Sequence, residues 1–338
     1  MIGFSTIAMA RPNLDVQTHS ICGQSVTLKI LSYNMHGFYN GKPLLSELCN
    51  DDNISIIAVQ EHWLSSDKLH LLNTVHEDFV GFGISGMKNK LSSGVYRGRP
   101  FGGVGFIWRK SLADRITVLS SDKGGRCLII GLKLDTDTCM KLVNVYFPCF
   151  SSKLDYKVEL GHCLGFIENS VAVGDKTVIM GDMNFECHDN NVGYVMCNTV
   201  FSNFNISCCD DLCHAAELST YCNDALGCSS FIDHFFASDS IKSSIASISI
   251  IDSGCNLSDH RPIVATFVFT DLHMDNGHKT PPSKAPTLYS WRWDKSDLNY
   301  YHDCSRVLSL VSSVSCPCFL CIRLLWSGSF TLNQSVLW

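Results

Sequence analysis

Short apolar runs of the length of a β-strand recur from residue 28 to residue 269, and Gly, Asp or Asn bounds most of them. Most are rich in β-branched or aromatic side chains, which favours strands. The predicted strands are 28–33, 54–59, 103–108, 127–134, 141–146, 177–180, 231–237 and 263–269. Helical spacing appears in 43–49, 154–171 and 191–201. This pattern predicts an α/β (α+β) fold in which two β-sheets pack face to face with helices outside.

The composition changes near residue 270, because residues 277–286 are rich in Lys, Pro, Ser and Thr. Such a composition is typical of a flexible connector. We therefore predict an N-terminal extension (1–23), a compact domain (24–270), a linker (271–290) and a C-terminal tail (291–338) that is truncated or disordered. The tail contains an apolar stretch, but Pro317 and Arg323 interrupt it. A membrane helix needs about 20 consecutive apolar residues, so we expect no membrane span.

Charge and cysteine content narrow the class of protein. The 338 residues include 26 basic and 32 acidic ones, a formal net charge of −6, which argues against a protein that coats nucleic acid through bulk positive charge. The 18 cysteines are irregularly spaced, so we expect reduced thiols in an intracellular protein, with nucleus and cytoplasm unresolved. The tightest group, Cys208, Cys209, Cys213 and His214, lacks paired C-x-x-C spacing, and ordinary small buried residues are favoured there over a zinc site.

Polar side chains stand where several predicted strands end. Asn34, Glu61 and Asp182 each follow an apolar run, and Tyr146 closes another. Taken singly, such residues more often cap a strand, turn the chain or face solvent. Their repetition at strand ends instead predicts one shared rim.

The polar residues at this rim could hydrolyse a phosphodiester. The reaction requires a base for the attacking water, donors around the phosphoryl oxygens and stabilisation of the departing alkoxide. We assign Asp182 as the base and Asn184, two residues on, as a clamp on the same phosphate. His260 can donate to a phosphoryl oxygen, and Asp233 can orient its ring and favour its charged form.

The same set of residues offers ligands for a divalent cation. Glu61 supplies hard oxygen atoms of the kind that Mg²⁺ prefers, and Asn34 and Asp259 can complete or orient the metal shell. We therefore expect Mg²⁺ or Mn²⁺ as the cofactor. Asn34 is also a candidate substrate-binding residue.

Six motifs carry these residues in a fixed order. They are Ser32-Tyr33-Asn34, Gln60-Glu61, Asn144-Val145-Tyr146, Gly181-Asp182-Met183-Asn184, Ile232-Asp233-His234 and Ser258-Asp259-His260. In order and spacing they resemble the endonuclease/exonuclease/phosphatase superfamily over roughly residues 27–269. The resemblance implies a DNase I-like four-layer sandwich of two mixed β-sheets flanked by helices, with a divalent metal at the rim. It also implies cleavage of DNA that leaves a 3′-hydroxyl.

Within that superfamily the chain looks most like the apurinic-type endonuclease domain of non-LTR retrotransposons. The supporting details are Arg97-Gly98-Arg99-Pro100-Phe101-Gly102-Gly103, Thr220-Tyr221 and Trp293-Asp294-Lys295. By this resemblance Thr220 is a substrate-side polar contact and Tyr146 supplies a phosphate-side hydroxyl. Those elements carry a reverse transcriptase after the nuclease, whereas no polymerase-length region is present here. The expectation is a nuclease fragment or a domesticated or degenerate copy.

Four basic residues, Lys88, Lys90, Arg97 and Arg99, lie in a segment rich in Gly and Ser. Such a segment can form a loop that contacts DNA phosphates. A solvated basic loop explains it equally well. Arg97 and Arg99 are kept as candidate substrate-binding residues.

The hypothesis from the sequence is a Mg²⁺-dependent endonuclease that acts on DNA and has no obligate protein partner. One alternative is a phosphatase of inositol phosphates or phospholipids, although Phe231-Ile232-Asp233-His234 stands where those enzymes are expected to carry a Cys-Asp-Arg-type sequence. A second alternative is a catalytically inactive binding module, although every candidate catalytic residue is present. The preferred DNA target, whether abasic, sequence-selected or structural, leaves no short signature.

Overall fold

The computed structural model describes residues 25–51, 53–87, 100–150, 154–188, 190–213, 219–223 and 225–269. All of them fall inside the predicted domain, 24–270. The predicted extension, linker and tail lie outside the described residues, as do Lys88, Lys90, Arg97, Arg99 and His214.

Two six-stranded sheets and a short hairpin make up the β-structure of the described residues. In chain order the strands are β1 (Val26–Asn34), β2 (Ile54–Gln60), β3 (Phe79–Ile84), β4 (Val104–Arg109), β5 (Ile116–Ser121), β6 (Cys127–Lys133), β7 (Cys139–Tyr146), β8 (Lys176–Asp182), β9 (Ile206–Cys208), β10 (Tyr221–Asn223), β11 (Cys228–Ser230), β12 (Asp233–Ser238), β13 (Ile245–Ile250) and β14 (Ile263–Phe269). The first sheet has the order β13-β14-β1-β2-β4-β3, and the second has the order β5-β6-β7-β8-β12-β9. Each sheet contains one parallel pair, β1 with β2 and β7 with β8, and its other pairs are antiparallel.

Helices cover the outer faces of both sheets. They are α1 (Phe38–Leu48), α2 (Leu154–Glu168), α3 (Val192–Ser202) and the single-turn α4 (Asp239–Lys242), together with 3-10 segments at Ser66–Thr74, Lys110–Arg115 and Asp210–Leu212. Along β1, Leu28 and Ile30 belong to the core between the sheets, whereas Leu31 and Tyr33 belong to the core beneath α1. Because both faces are buried, the strand is a continuous apolar run. The four-layer sandwich of two mixed sheets is confirmed.

A buried polar bridge joins the two sheets near one end. Asn144 on β7 donates through Nδ2 to the carbonyls of Val59 (3.0 Å) and Gly105 (2.8 Å) in the first sheet. Its Oδ1 accepts from Gln60 Nε2 at 2.7 Å. Polar groups buried this deeply are stable only when paired, so the bridge fixes the register of one sheet against the other.

Six strands were not predicted from the sequence: the three-residue strands β9, β10 and β11, and the longer β3, β5 and β13, which lack a continuous apolar run. Gly81 and Gly83 interrupt β3, and the edge strand β5 has no buried residue and only three apolar positions, two of them adjacent and the third separated from them by Thr117. Strand β13 is buried at only every third residue. Pairing with a neighbouring strand, rather than local propensity, forms these elements.

The predicted helices differ from the observed ones at their ends. Helix α1 begins five residues before the predicted start and includes Pro43. Helix α3 starts one residue later than predicted, because Asn191 is its N-cap and accepts from the backbone amides of Gly193 and Tyr194. Within the described ranges no helix has the length and apolarity needed to cross a membrane.

Candidate active site

Strands of both sheets bring their polar ends to one place. The parallel pairing of β1 with β2 sets Asn34 beside Gln60, and that of β7 with β8 sets Tyr146 beside Asp182. Strand β12 runs antiparallel to β8, so its first residue, Asp233, also lies beside Asp182. The strand ends predicted to form a rim therefore do so.

Asn34 connects the acidic residues across the gap between the sheets. Its Nδ2 donates to Asp182 Oδ2 at 2.8 Å and lies 3.5 Å from Glu61 Oε1. Its Oδ1 accepts from the backbone amide of His36 at 3.0 Å. The amide nitrogen therefore faces the carboxylates, and the oxygen predicted to bind metal or substrate is engaged by the backbone.

Asp233, His260 and Asp182 lie in series, joined by one hydrogen bond and one longer ion-pair contact. Asp233 Oδ2 lies 2.8 Å from His260 Nδ1, and His260 Nε2 lies 3.8 Å from Asp182 Oδ2. All three side chains are buried. One atom from each lies within 4.8 Å of the others, close enough to hold an ion, but both imidazole nitrogens already face carboxylates. The geometry is that of an imidazole oriented by one acid and aimed at a second.

The surroundings raise the pKa values of both His260 and Asp182, for different reasons. Burial lowers the pKa of His260, but Asp233 and Asp182 outweigh burial and raise it to about 10. Burial raises the pKa of Asp182 to about 7, although His260 opposes that rise. A carboxylate that titrates near neutrality is suited to accept a proton at physiological pH.

Two of the predicted site residues have left-handed backbones. Glu61 has φ of 50° and Asn184 has φ of 56°. Asn tolerates this region, whereas Glu adopts it at a cost of order 1 kcal/mol. The turn at Asn184 makes the extended segment assumed from the sequence incorrect, and its Nδ2 donates to the carbonyl of Phe147 at 2.9 Å. Its backbone amide donates to Asp182 Oδ1 at 3.0 Å, which keeps Asn184 beside the predicted base.

Tyr146 lies at the same rim, with its hydroxyl beside Glu61. Burial and the negative charge of Glu61 raise the pKa of Tyr146, so the phenol stays protonated. The guanidinium of Arg126 stacks over its ring, 5.3 Å from the centroid. Arg126 brings a positive charge to the rim that the motif analysis did not identify.

Asp259 pairs with a residue that the sequence analysis missed. Its Oδ1 lies 2.8 Å from His36 Nδ1. This hydrogen bond raises the pKa of His36, whereas burial lowers it, and nearby Glu61 adds to the rise. The only sequence signal for His36 was its position two residues after Asn34. Asp259, which was predicted to bind the metal, thus already has a hydrogen-bond partner in His36.

Thr220 occupies a different position from the one expected of a substrate contact. It is fully buried, and its Oγ1 accepts from the backbone amides of Ile232 (3.0 Å) and Asp233 (3.1 Å). The hydroxyl therefore fixes the start of β12, where Asp233 lies. Arg97 and Arg99 lie outside the described residues.

The donor set at the rim fits a hard divalent cation. Glu61 is partly exposed and offers two carboxylate oxygens, and Asp259 offers a second carboxylate nearby. The buried Oδ1 of Asp233 has no hydrogen-bond partner, so one more carboxylate oxygen is unpaired at this end of the sandwich. Oxygen ligands of this kind suit Mg²⁺ or Mn²⁺.

A model of the endonuclease/exonuclease/phosphatase family matches residues 31–260. This chain belongs to that family. The matched region includes every described side chain of the candidate site, from Asn34 to His260. No curated protein sequence matches the chain significantly.

Solved structures of this family's fold resemble the domain over most of its length. A variant of the 3′ phosphatase NExo from Neisseria, bound to a product DNA hairpin, is 16% identical, with a TM-score of 0.54 over 71% of this chain and 99% of that chain. The AP endonuclease LMAP from Leishmania major is 14% identical, with a TM-score of 0.56 over 71% and 87%. The endonuclease domain of TRAS1, a telomere-specific non-LTR retrotransposon, is 12% identical, with a TM-score of 0.52 over 72% and 98%. At these identities the likeness shows the shared fold.

Proposed function

We propose that this protein is a Mg²⁺-dependent endonuclease that hydrolyses phosphodiester bonds in DNA. The observation that carries the proposal is the Asp233–His260–Asp182 series, joined through Asn34 to Glu61 at one rim. Family membership makes hydrolysis of a phosphate ester the general expectation. The DNA hairpin bound to the Neisseria relative and the AP endonuclease relative support DNA as the substrate.

In the proposed reaction Asp182 accepts a proton from the attacking water. The water oxygen forms a bond to phosphorus as the bond from phosphorus to the 3′ oxygen breaks. The departing 3′ alkoxide takes a proton from solvent, and the products are a 3′-hydroxyl and a 5′-phosphate. His260, held by Asp233, donates through Nε2 to a phosphoryl oxygen and stabilises the negative charge that develops there. Asn184 lies beside Asp182 and contacts the same phosphate.

Glu61 and Asp259 would hold the cation, and Asn34 would position Glu61 and Asp182 through its amide nitrogen. When bound, a divalent ion supplies positive charge that polarises the phosphoryl group. The Tyr146 hydroxyl, beside Glu61, contacts the phosphate side of the substrate. Thr220 acts indirectly, because it fixes the backbone of Asp233.

The test is nicking of supercoiled plasmid by the purified full chain. We expect nicked circles when Mg²⁺ is present and none when EDTA is added. End-labelling of the product separates a 3′-hydroxyl from a 3′-phosphate. An intact plasmid at every Mg²⁺ and Mn²⁺ concentration would reject the endonuclease. A mobility-shift assay would then detect an inactive DNA-binding module, and release of phosphate would detect a phosphatase.

A phosphatase of DNA ends is the second candidate, because a relative of the same fold is a 3′ phosphatase that was captured with a product hairpin. Release of inorganic phosphate from a 3′-phosphorylated hairpin, without plasmid nicking, would favour it. Inositol polyphosphates serve as the parallel substrate, and phosphate released from them alone would instead favour the inositol phosphatase alternative.

We also propose that the domain is related to the endonucleases of non-LTR retrotransposons. The support is the set of motifs around Thr220-Tyr221 and Phe101-Gly102-Gly103, together with the TRAS1 domain among the similar structures. In this proposal the protein provides the nicking activity of such an element. A preference for one DNA sequence, measured by sequencing of nicked ends, would support the relationship, and nicking at abasic sites alone would oppose it.

A further inference from the structure

A second group of ligand atoms lies on the face of β12 opposite to the candidate active site. Successive residues of a strand point to opposite faces of the sheet. Asp233 therefore faces His260, whereas His234 faces the helix-covered side, where Phe236 also packs. The sequence analysis treated Ile232-Asp233-His234 as one motif, and the function proposed above uses only its Asp.

Four side chains converge around the His234 ring. Cys187, Cys208, Asp210 and His234 place one ligand atom each within 4.8 Å of all the others. Cys187 Sγ lies 3.5 Å from His234 Nδ1, and Asp210 Oδ2 lies 2.9 Å from the same nitrogen. The thiols of Cys187 and Cys208 are within hydrogen-bonding reach of each other. Two thiols and a carboxylate therefore lie around the side of the ring that carries Nδ1.

The other nitrogen of His234 is already committed. Nε2 lies 2.7 Å from the carbonyl oxygen of Phe185, which can only accept, so Nε2 carries a proton and donates it. A histidine that ligates a metal through one nitrogen usually donates its other N–H to a carbonyl or carboxylate in this way. The ring of Phe185 also stacks on His234 at 5.8 Å, which fixes the plane of the imidazole.

We propose that Cys187, Cys208, Asp210 and the Nδ1 atom of His234 bind one structural Zn²⁺ ion. Tetrahedral zinc with bonds of 2.0–2.3 Å separates its ligand atoms by about 3.3–3.8 Å, and the two separations given above need to change by only a few tenths of an ångström. Thiolate and imidazole ligands select zinc over the Mg²⁺ or Mn²⁺ expected at the rim. The two thiols release their protons to solvent as the metal binds.

The ligands come from three segments of the chain that are distant in sequence. Cys187 follows β8 in the segment that also carries Asn184, Cys208 and Asp210 lie at the end of β9, and His234 lies on β12. His234 is buried, whereas the other three are partly exposed, so a cation can enter from solvent. The ion would fix the segment after β8 to the edge of the second sheet.

This set shares one residue with the cysteine group considered in the sequence. Cys209 and Cys213 pack into the core between the sheets, as expected of small buried residues. The set could not be recognised from spacing, because Cys187 and His234 are distant in sequence from Cys208. A charged pair between His234 and Asp210 is the simplest alternative, and a disulfide between the two thiols is another.

The test measures metal in the full-length protein purified without chelators or added metal. We expect about one zinc per chain by inductively coupled plasma mass spectrometry, and much less in Cys187→Ser. Cys228→Ser, which changes an exposed cysteine on β11, is the matched control and should retain the metal. Cobalt(II) in place of zinc should give the intense visible bands and thiolate charge-transfer absorption of a tetrahedral site, and Asp210→Asn should alter those bands.

Three results would overturn the proposal. They are a wild-type protein that takes up no zinc or cobalt from metal-buffered solution, zinc binding unchanged in Cys187→Ser, and a disulfide between Cys187 and Cys208 found by peptide mapping of the protein as purified. The cobalt spectrum of the wild-type chain requires no variant, so a misfolded variant cannot decide the outcome. Glu61→Gln should keep the zinc, which separates this site from the candidate active site.

Discussion

His36 Nδ1 lies 2.8 Å from Asp259 Oδ1 at the edge of the candidate active site, so a ring nitrogen is placed where a divalent cation is expected to bind. The same ring lies edge-on to Trp63, with centroids 4.9 Å apart, and Trp63 donates through its indole to Glu61 Oε2 at 2.8 Å. His36 and Trp63 therefore connect the two carboxylates that we assign to the metal. A cation that uses Asp259 has to displace or share this hydrogen bond.

Replacing His36 should change the requirement for Mg²⁺. His36→Gln removes the ring nitrogen that occupies Asp259, so we expect half-maximal nicking at a lower Mg²⁺ concentration than in the wild type. The measurement is plasmid nicking across a Mg²⁺ titration. His70→Gln, an exposed histidine in the 3-10 segment Ser66–Thr74, is the matched control. A higher Mg²⁺ requirement in His36→Gln would show that His36 assists binding of the ion.

Asp182 is the residue on which the proposed chemistry depends. Asp182→Asn keeps the size of the side chain and can still accept from Asn34, but it cannot take a proton from water. We expect the nicking rate to fall about 10²- to 10⁴-fold at saturating Mg²⁺. Asp137→Asn, an exposed aspartate before β7, should leave the rate unchanged. Wild-type activity in Asp182→Asn would assign the base to another residue.

Glu61 should affect the metal dependence more than the maximal rate. Glu61→Gln keeps an oxygen toward the rim but removes the charge, so we expect the apparent affinity for Mg²⁺ to weaken roughly 10- to 100-fold. Raising the Mg²⁺ concentration should restore part of the activity, because a ligand is lost and the base is retained. A rate that no metal concentration alters would contradict a ligand role for Glu61.

Thr220 tests whether the position of Asp233 matters. Thr220→Val has nearly the same shape but leaves the amides of Ile232 and Asp233 without an acceptor, which should lower the free energy of unfolding by about 2–4 kcal/mol. We expect kcat to fall roughly 10- to 100-fold with little change in KM, since His260 loses its alignment.

The conservative variant Thr220→Ser separates this role from a general loss of stability, because it restores the hydroxyl. It should recover both stability and kcat. Stability that recovers while kcat stays low would indicate that the Thr220 methyl group, and not the backbone of Asp233, sets the rate.

The sequence predicted the convergence of Asn34, Asp182, Asp233 and His260 because each stands at a strand end or directly before a strand. The apolar runs were clear enough to place the strands. The parallel or antiparallel pairing of each strand then decides at which edge of the sandwich its terminal residue lies. Both outer faces are helix-covered, so these runs are continuous and easy to recognise.

The remaining features depend on tertiary geometry that leaves no local pattern. The pair formed by His36 and Asp259 spans 223 residues of sequence, and the left-handed backbone of Glu61 is set by its neighbours rather than by its own preference. The family resemblance assigned Thr220 to the substrate, whereas in the structure it is buried and its hydroxyl accepts from the backbone amides of Ile232 and Asp233. The residue types therefore indicated the kind of chemistry at the site. They did not indicate which hydrogen-bond partner each side-chain atom contacts.

The final prediction concerns the bridge between the sheets, which supports the rim. Asn144→Leu has a similar volume but removes the donor to the carbonyls of Val59 and Gly105, and it leaves Gln60 Nε2 with Ser32 Oγ as its remaining acceptor. Each buried group left unpaired costs about 1–3 kcal/mol, so we expect the free energy of unfolding to fall by at least about 2 kcal/mol. Equilibrium unfolding in urea measures it, with an unchanged slope if the fold is retained.

Asn169→Ala is the matched control for this bridge, because Asn169 donates only to the carbonyl of Gly165 on the exposed surface of α2. We expect its effect to stay within about 0.5 kcal/mol. If Asn144→Leu were as stable as this control, leucine packing would offset the lost hydrogen bonds, as apolar replacements of buried polar groups sometimes do. The bridge would then specify the register between the sheets without stabilising the fold. That register is what places Asn34 of one sheet within reach of Asp182 in the other.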